Sequence, residues 1–309
     1  MYRIERASRV AGEVIKQNCF LLESGEELEY LTYPSLEETG VVRHLITTRL
    51  GGVSKGEFSS MNLSFNRGDR EEDVRENYRR IGQVLGCLPE NMTASCQTHT
   101  TNIRRVTSAD RGKGIIKPLD YKDIDGLMTD EPGIALVTYY ADCVPLLFVD
   151  PTHRAIGIAH SGWRGTVGRI GQCMIKSMGE AYGTGPKELY AAIGPSICQD
   201  CYEVSEDVAE KFTDLEEGTE EFREELLLSG SYRAGHDGNL PKIVEKGVKQ
   251  GKYQIDLWLA NYVILRQAGV LPEQIAITDI CTCHNRDYLF SHRASGGRRG
   301  NLAAFLMLD

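Results

Sequence analysis

The sequence predicts an α+β fold whose core is a two-sheet β-sandwich. Three observations carry this. Strand-like apolar runs outnumber helix-like patterns across the 309 residues. The two kinds do not alternate in the regular way a doubly wound parallel sheet requires. At the centre, Leu146-Leu147-Phe148-Val149 and Ala155-Ile156-Gly157-Ile158-Ala159 bracket the Pro-containing turn Asp150-Pro151-Thr152-His153-Arg154, which reads as an antiparallel hairpin.

The elements follow in order. Residues 19–32 alternate as a hairpin turning at Ser24-Gly25, and 41–48 reads as a strand running into Arg49-Leu50-Gly51-Gly52. Residues 71–86 read as a helix, because Val74, Tyr78, Ile81 and Leu85 recur at three- and four-residue spacing. Residues 94–106 read as strand, turn and strand around Gln97-Thr98-His99-Thr100; 125–129 and 134–139 are further strands. Residues 166–182 read as one helix with Ile170, Cys173, Met174 and Met178 on a face. A strand over 188–193, helices over 205–213 and 255–268, and strands over 274–280 and 302–308 complete the reading. We expect one domain over 1–309, with an N-terminal hairpin extension over 1–33. The stretch 214–240, acidic and then Gly/Ser-rich, is expected to be a mobile insertion.

The formal charge of -9 argues against a nucleic-acid binder. No apolar run reaches the ~18 residues of a membrane span, and residues 1–22 lack a signal-peptide core; the cytoplasm is the expected compartment. Nine scattered cysteines read as reduced thiols, not a disulfide framework. The His-x-Glu and Pro-Cys-x-x-Cys signature of common zinc deaminases is absent, as are a Gly-x-Ser-x-Gly elbow and a Walker loop.

The chemistry-bearing residues flank the hairpin. Cys143 precedes its first strand and His160 ends its second, with a midpoint at Pro151/Thr152. A tight turn there makes the two directly opposed, with Cβ atoms about 4.5–5.5 Å apart. That suits a shared metal or a Cys–His nucleophilic pair. Adding His99 gives a His₂Cys set, which suits zinc and leaves a fourth position open; a packed cysteine with two hydrogen-bonded histidines is the bland alternative. Asp142 is read as orienting a ligand histidine or carrying a proton, against a plain turn aspartate. Arg164, ahead of a helix starting near Thr166 and beside Gly162 and Gly165, reads as an anion pocket, against a surface arginine next to Trp163. Arg49 with Gly51-Gly52 is a second candidate anion loop. Cys198 and Cys201 together with Cys281, Cys283 and His284 offer a structural zinc site, against packing of Cys201 and Cys281 in the core. The tail Phe290–Gly300 is basic and Gly-rich, a loop with Arg293 available to an anionic ligand.

Taken together these residues resemble the YfiH/laccase-domain family, also called multicopper polyphenol oxidase-like or peptidoglycan editing factor proteins. The resemblance rests on Thr47-Thr48-Arg49-Leu50-Gly51-Gly52-Val53-Ser54, Met61-Asn62-Leu63, Gln97-Thr98-His99, Asp125-Gly126-Leu127-Met128-Thr129, Ala141-Asp142-Cys143 and His160-Ser161-Gly162-Trp163-Arg164-Gly165. Ile193-Gly194-Pro195-Ser196-Ile197, Cys201-Tyr202-Glu203-Val204 and Phe290-Ser291-His292-Arg293 follow in the same order. It implies a sandwich in α/β/β/α layers and a metal held by His99, Cys143 and His160, usually zinc, with copper as the alternative. It also implies purine nucleosides and phosphate as substrates: phosphorolysis of adenosine, inosine and methylthioadenosine, plus adenosine deamination. On that reading Asp142, Arg164 and Gln97 take part in catalysis, and Arg49, Asn62, Arg164 and Arg293 bind substrate or phosphate. The competing readings are a metal-free cysteine hydrolase or amidase acting on peptidoglycan precursors, a copper-dependent phenol oxidase, and a non-enzymatic binding protein.

Overall fold

The strand Val144–Asp150 turns Leu146 and Phe148 to one side and Leu147 and Val149 to the other, all of them buried. A strand apolar on both faces must be covered on both. The computed structural model describes residues 1–309 except 8–9, 11–12 and 236–237, and shows how that cover is built.

In chain order the strands begin with β1 (Lys16–Leu21), β2 (Glu27–Thr32), β3 (Val42–Thr47), β4 (Met92–Ala94) and β5 (Ile103–Arg105). Next come β6 (Gly126–Thr129), β7 (Ala135–Tyr140), β8 (Val144–Asp150), β9 (Ala155–Ser161) and β10 (Tyr190–Ile193). The last are β11 (Glu203–Ser205), β12 (Val244–Lys246), β13 (Lys252–Ile255), β14 (Ile275–Ile277) and β15 (Leu302–Leu308). The helices are α1 (Pro34–Glu37), α2 (Glu71–Leu85), α3 (Trp163–Val167), α4 (Ile170–Tyr182), α5 (Glu206–Glu216), α6 (Glu220–Leu228), α7 (Leu257–Gln267) and α8 (His292–Ser295). One six-stranded sheet runs β1-β2-β3-β15-β7-β4 and the other β14-β10-β8-β9-β6-β5. A small third sheet, β11-β13-β12, lies outside them and was not foreseen from the sequence.

Three apolar clusters fix the layers. Between the sheets, Ile46, Leu136 and Leu306 meet Leu147, Ile156 and Ile158. On the outer face of the first sheet, Val74, Tyr78, Ile81 and Leu85 of α2 pack on Leu45, Val137 and Phe305. On the outer face of the second, Met174 of α4, Phe212 of α5 and Trp258 of α7 pack on Leu146 and Phe148. The result is the expected α/β/β/α sandwich. Helix α2 forms where its apolar stripe demands it, with Glu71, Glu72 and Asp73 complementing its N-terminal dipole and Gly86 (φ 67) ending it.

Several expected elements differ in detail. The strands read around Gln97–Thr100 do not pair with each other: β4 pairs with β7 in one sheet and β5 with β6 in the other. Residues 95–102 therefore cross between sheets and carry His99 over the gap. The helix expected over 166–182 is broken at Gly168 and Arg169 (φ 60) into α3 and α4. The 1–33 segment contributes β1 and β2, the edge of the first sheet. The 214–240 stretch holds the end of α5 and all of α6, with Leu226 in the core and Arg223 paired to Glu216 at 3.1 Å; residues 236–237 lie outside the described residues. No described helix is long and apolar enough to cross a membrane.

His44 in β3 is buried, and its Nε2 accepts the Tyr33 amide at 2.8 Å. Burial pushes its pKa down from 6.5 to about 4. The unfolded chain takes up that proton first as pH falls. The stabilisation is therefore complete above pH 6.5 and lost as pH drops through about 4, a change of about 3 kcal/mol at most. Urea melts at pH 7 and pH 4.5 should show His44→Gln losing less stability on acidification than wild type; parallel losses would remove His44 from the account.

Candidate metal centre and cavity

Asp125 organises the site. Its carboxylate is fully buried at the start of β6. It accepts the amides of Thr98 (3.0 Å), His99 (3.0 Å) and Thr100 (2.9 Å), the Thr100 hydroxyl (3.0 Å) and His160 Nδ1 (2.9 Å). Burial opposes its charge, but the hydrogen bonds from His160 and from the Thr100 and Thr98 amides outweigh it and hold the pKa near 2. The same bonds hold the crossing segment in a tight curl, with His99 in the left-handed region at φ 67.

The hairpin supplies the other two groups. Register pairs Val144 with Ser161 and Pro145 with His160. Cys143 is thus one diagonal step from His160, not directly opposite it as expected, because the turn is centred one residue further along than the Pro151/Thr152 midpoint. Residues two apart share a face, so the convergence survives. The donor atoms of His99, Cys143 and His160 all lie within 4.8 Å of one another. The imidazole rings of His99 and His160 meet edge to face at 4.9 Å. Burial disfavours the Cys143 thiolate, but His160 and then His99 overcome that and lower its pKa; the same pairing with Cys143, and Asp125, raises that of His160. A soft thiolate plus two imidazoles, one of them oriented by a carboxylate at its far nitrogen, is a donor set that fits a divalent metal with an open position. Gly162 makes room for it. A Cβ there would stand 2.8 Å from His99 Cδ2 and 3.2 Å from Cys143 Sγ.

The donor set opens onto a cavity of about 760 Å³. Ser95, Gln97, Tyr139 and Tyr140 line it near the donors, Phe65 and Ile115 further out, and Arg67, Arg75, Lys117 and Arg299 add positive charge. Arg75 is neutralised by Glu71 at 2.6 Å. Arg299 is only 8% exposed and its Nε has no hydrogen-bond partner among the described residues. Burial, and then Arg67, lower its pKa to about 10.

The remaining expected site residues fall elsewhere. Gln97 lines the cavity, but its amide is bound to the backbone of Tyr139 at 2.7 and 2.8 Å. Asn62 is wholly buried and holds Ser64, Asp69 and the Asn301 amide, a loop clamp where a sugar or base contact was expected. Arg49 donates to the carbonyls of Ser59 and Arg286 and lies over Phe290 at 4.8 Å. Arg164 is exposed on a five-residue helix, stacked 4.2 Å over Trp163. Arg293 donates to the carbonyls of Cys201 and Glu203. Asp142 (φ 86) accepts from the Thr282 hydroxyl at 2.7 Å and the Arg293 amide at 2.6 Å; the carboxylate that orients His160 is Asp125 instead. Asp125, Arg67, Lys117 and Arg299 were missed. Asp125 stood in a quoted motif without a role, and Arg299 in the basic tail; nothing in the sequence singles out Arg67 or Lys117.

The family model described as multi-copper polyphenol oxidoreductase laccase matches residues 43–309. The chain is 33% identical over 261 residues to a Bacillus subtilis protein named purine nucleoside phosphorylase YlmD, covering 84% of this chain and 86% of that one. It is 30% identical over 275 residues to a protein from an unknown prokaryotic organism named adenosine deaminase RL5, covering 89% and 96%. The solved structure of the Bacillus licheniformis hypothetical protein YfiH superposes with a TM-score of 0.79 at 30% identity, covering 91% and 96%.

Gly162→Ala sets a methyl against His99 and Cys143 and should lower the affinity of this donor set for metal about 10- to 100-fold, the size of effect that disturbing the surroundings of a metal ligand has, while leaving the far-UV spectrum unchanged. Competition against a chromophoric chelator reads this directly; unaltered affinity would mean the donors do not close on an ion against Gly162.

Proposed function

The chain belongs to the multi-copper polyphenol oxidoreductase laccase family, and from that premise we propose that it is a zinc-dependent purine nucleoside phosphorylase acting on adenosine, inosine and methylthioadenosine, with adenosine deaminase activity. The observation that carries this is the meeting of the His99, Cys143 and His160 donors with a basic-walled cavity. The names of the relatives support nucleoside chemistry. A thiolate with two imidazoles favours zinc. Copper-dependent phenol oxidation fits less well, since a multicopper centre needs many histidines and the chain has seven, with two lining this cavity.

Bound by the three donors, zinc supplies Lewis acidity at its open position. The protein does the rest. Asp125 fixes the His160 tautomer and the His99 curl. Gln97 ties the crossing segment to β7. Arg299, with Lys117 and Arg67, holds phosphate and offsets its charge. Phe65 offers an apolar face to the base. In phosphorolysis a phosphate oxygen bonds to ribose C1′ as the C1′–N9 bond breaks; the electron pair leaves with the base, which takes up a proton. In deamination water adds at C6 and ammonia leaves. Asp142 is assigned a positioning role, because its carboxylate joins the Thr282 and Arg293 loop to the residue beside Cys143.

Adenosine with phosphate should yield adenine and ribose 1-phosphate, and His99→Ala should abolish this together with metal binding by the cavity donors; full phosphorolysis by a variant with no metal at those donors would defeat the proposal. Arg299→Ala should raise the KM for phosphate about 10- to 100-fold, the worth of one charged hydrogen bond. Deamination, which uses no phosphate, should change far less. Equal losses in both reactions would place Arg299 outside phosphate binding.

One observation favours a second reading. Cys143, His160 and Asp125 line up as thiolate, imidazole and carboxylate, the arrangement of a cysteine hydrolase. Chelation should inactivate the zinc enzyme and spare the hydrolase. Resistance to chelators with sensitivity to thiol alkylation would favour the hydrolase acting on peptidoglycan precursors.

A further inference from the structure

A second group of metal-binding side chains stands apart from the cavity. Cys198 and Cys201 flank a single helical turn, in which the amides of Cys201 and Tyr202 donate to the Cys198 carbonyl at 3.1 and 3.0 Å. The turn follows β10. The neighbouring strand β14 leads into Cys281, which bridges in parallel to Ser196. The chain then turns sharply, Asn285 closing on the Cys281 carbonyl through its amide (3.1 Å) and its side chain (2.9 Å). These two turns bring the sulfurs of Cys198, Cys201 and Cys281 and an imidazole nitrogen of His284 within 4.8 Å of one another.

We propose that Cys198, Cys201, Cys281 and His284 hold a second, structural zinc ion. A tetrahedral zinc with sulfur ligands at about 2.3 Å and nitrogen at about 2.0–2.1 Å has neighbouring ligand atoms about 3.5–3.8 Å apart. The four donors need contract only slightly to meet that geometry. Three sulfurs and one imidazole make a closed site with no position for substrate, as structural sites do. The pair spaced Cys-x-x-Cys on a tight turn is the half of such a site that sequence can show. The Cys198 amide also donates to Cys281 Sγ at 3.3 Å, a bond that a thiolate accepts better than a thiol. All nine cysteines are free in the structure, so no disulfide competes for these sulfurs. Cys198 and Cys281 are buried, while His284 reaches the surface and gives the ion a way in.

The ion joins the ends of two parallel strands. The loop it anchors carries Thr282, whose hydroxyl holds Asp142 beside Cys143. Zinc here acts on the cavity indirectly, through Thr282 and through Arg293, which donates to the Cys201 carbonyl and to Asp142, and it does not depend on which reaction the cavity performs.

The test is zinc itself, counted by mass spectrometry of elements on purified, exhaustively dialysed protein. Wild type should carry two zinc ions per chain and Cys143→Ser one. Cobalt(II) added to metal-stripped Cys143→Ser should give thiolate-to-metal charge-transfer absorption, and a further Cys198→Ser/Cys281→Ser change should abolish it. Should that variant fail to fold, Cys201→Ser, at a half-exposed position, reads the same loss. A Cys143→Ser protein that is folded, binds no zinc and shows no cobalt–thiolate absorption would overturn the proposal, as would a Cys198–Cys201 disulfide found by thiol counting. Failure of nucleoside phosphorolysis would leave both readouts standing.

Discussion

One buried carboxylate holds the candidate site together. Asp125 accepts from consecutive backbone amides of a segment that belongs to neither sheet and, through the same oxygens, from the far nitrogen of His160. A carboxylate without those donors would be costly to bury; the donors without it would leave three successive amides of the crossing segment with no acceptor in the protein. Each needs the other. The consequence is that a histidine in left-handed backbone and a histidine at a strand end face one thiolate although they lie 61 positions apart in the chain.

The sandwich makes this economical. Its central strands are apolar and covered on both faces, so a slip by one residue would disrupt close packing on two sides at once. Cys143 and His160 inherit that rigidity from β8 and β9. The diagonal relation between them tolerates the longer turn because both still project from the same face. The loop clamp built by Asn62 works in the same way at the rim, committing polar groups to Ser64 and Asn301 so that this part of the cavity wall stays in place.

Much of this was readable in advance. The period of α2, the alternation in the first hairpin and the bounds of β15 follow from local patterns, and the three donors follow from residue type at the ends of predicted strands. What failed did so for reasons beyond the reach of local pattern. The run 94–106 has two strand signatures, yet partner choice belongs to the tertiary fold, and its halves went to different sheets. Arg169 in left-handed backbone ended a helix whose apolar spacing continues past it. Asn62, Arg49 and Arg293 have the chemistry of substrate contacts, but their donors are taken by acceptors of neighbouring loops, while Arg164 lies over Trp163, and no sequence reports those distances. Asp125 was hidden by its context: an aspartate before glycine reads as a turn, and only the fold shows how many amides point at it.

The position of β15 carries a consequence for biogenesis. This strand, residues 302–308, is inserted between β3 and β7 in the middle of its sheet. During synthesis both flanking strands leave the ribosome long before their shared neighbour exists, each presenting an unpaired apolar edge of the kind that invites aggregation. The two halves of this sheet therefore join only once residues 302–308 are in place, which makes its closure a long-range event.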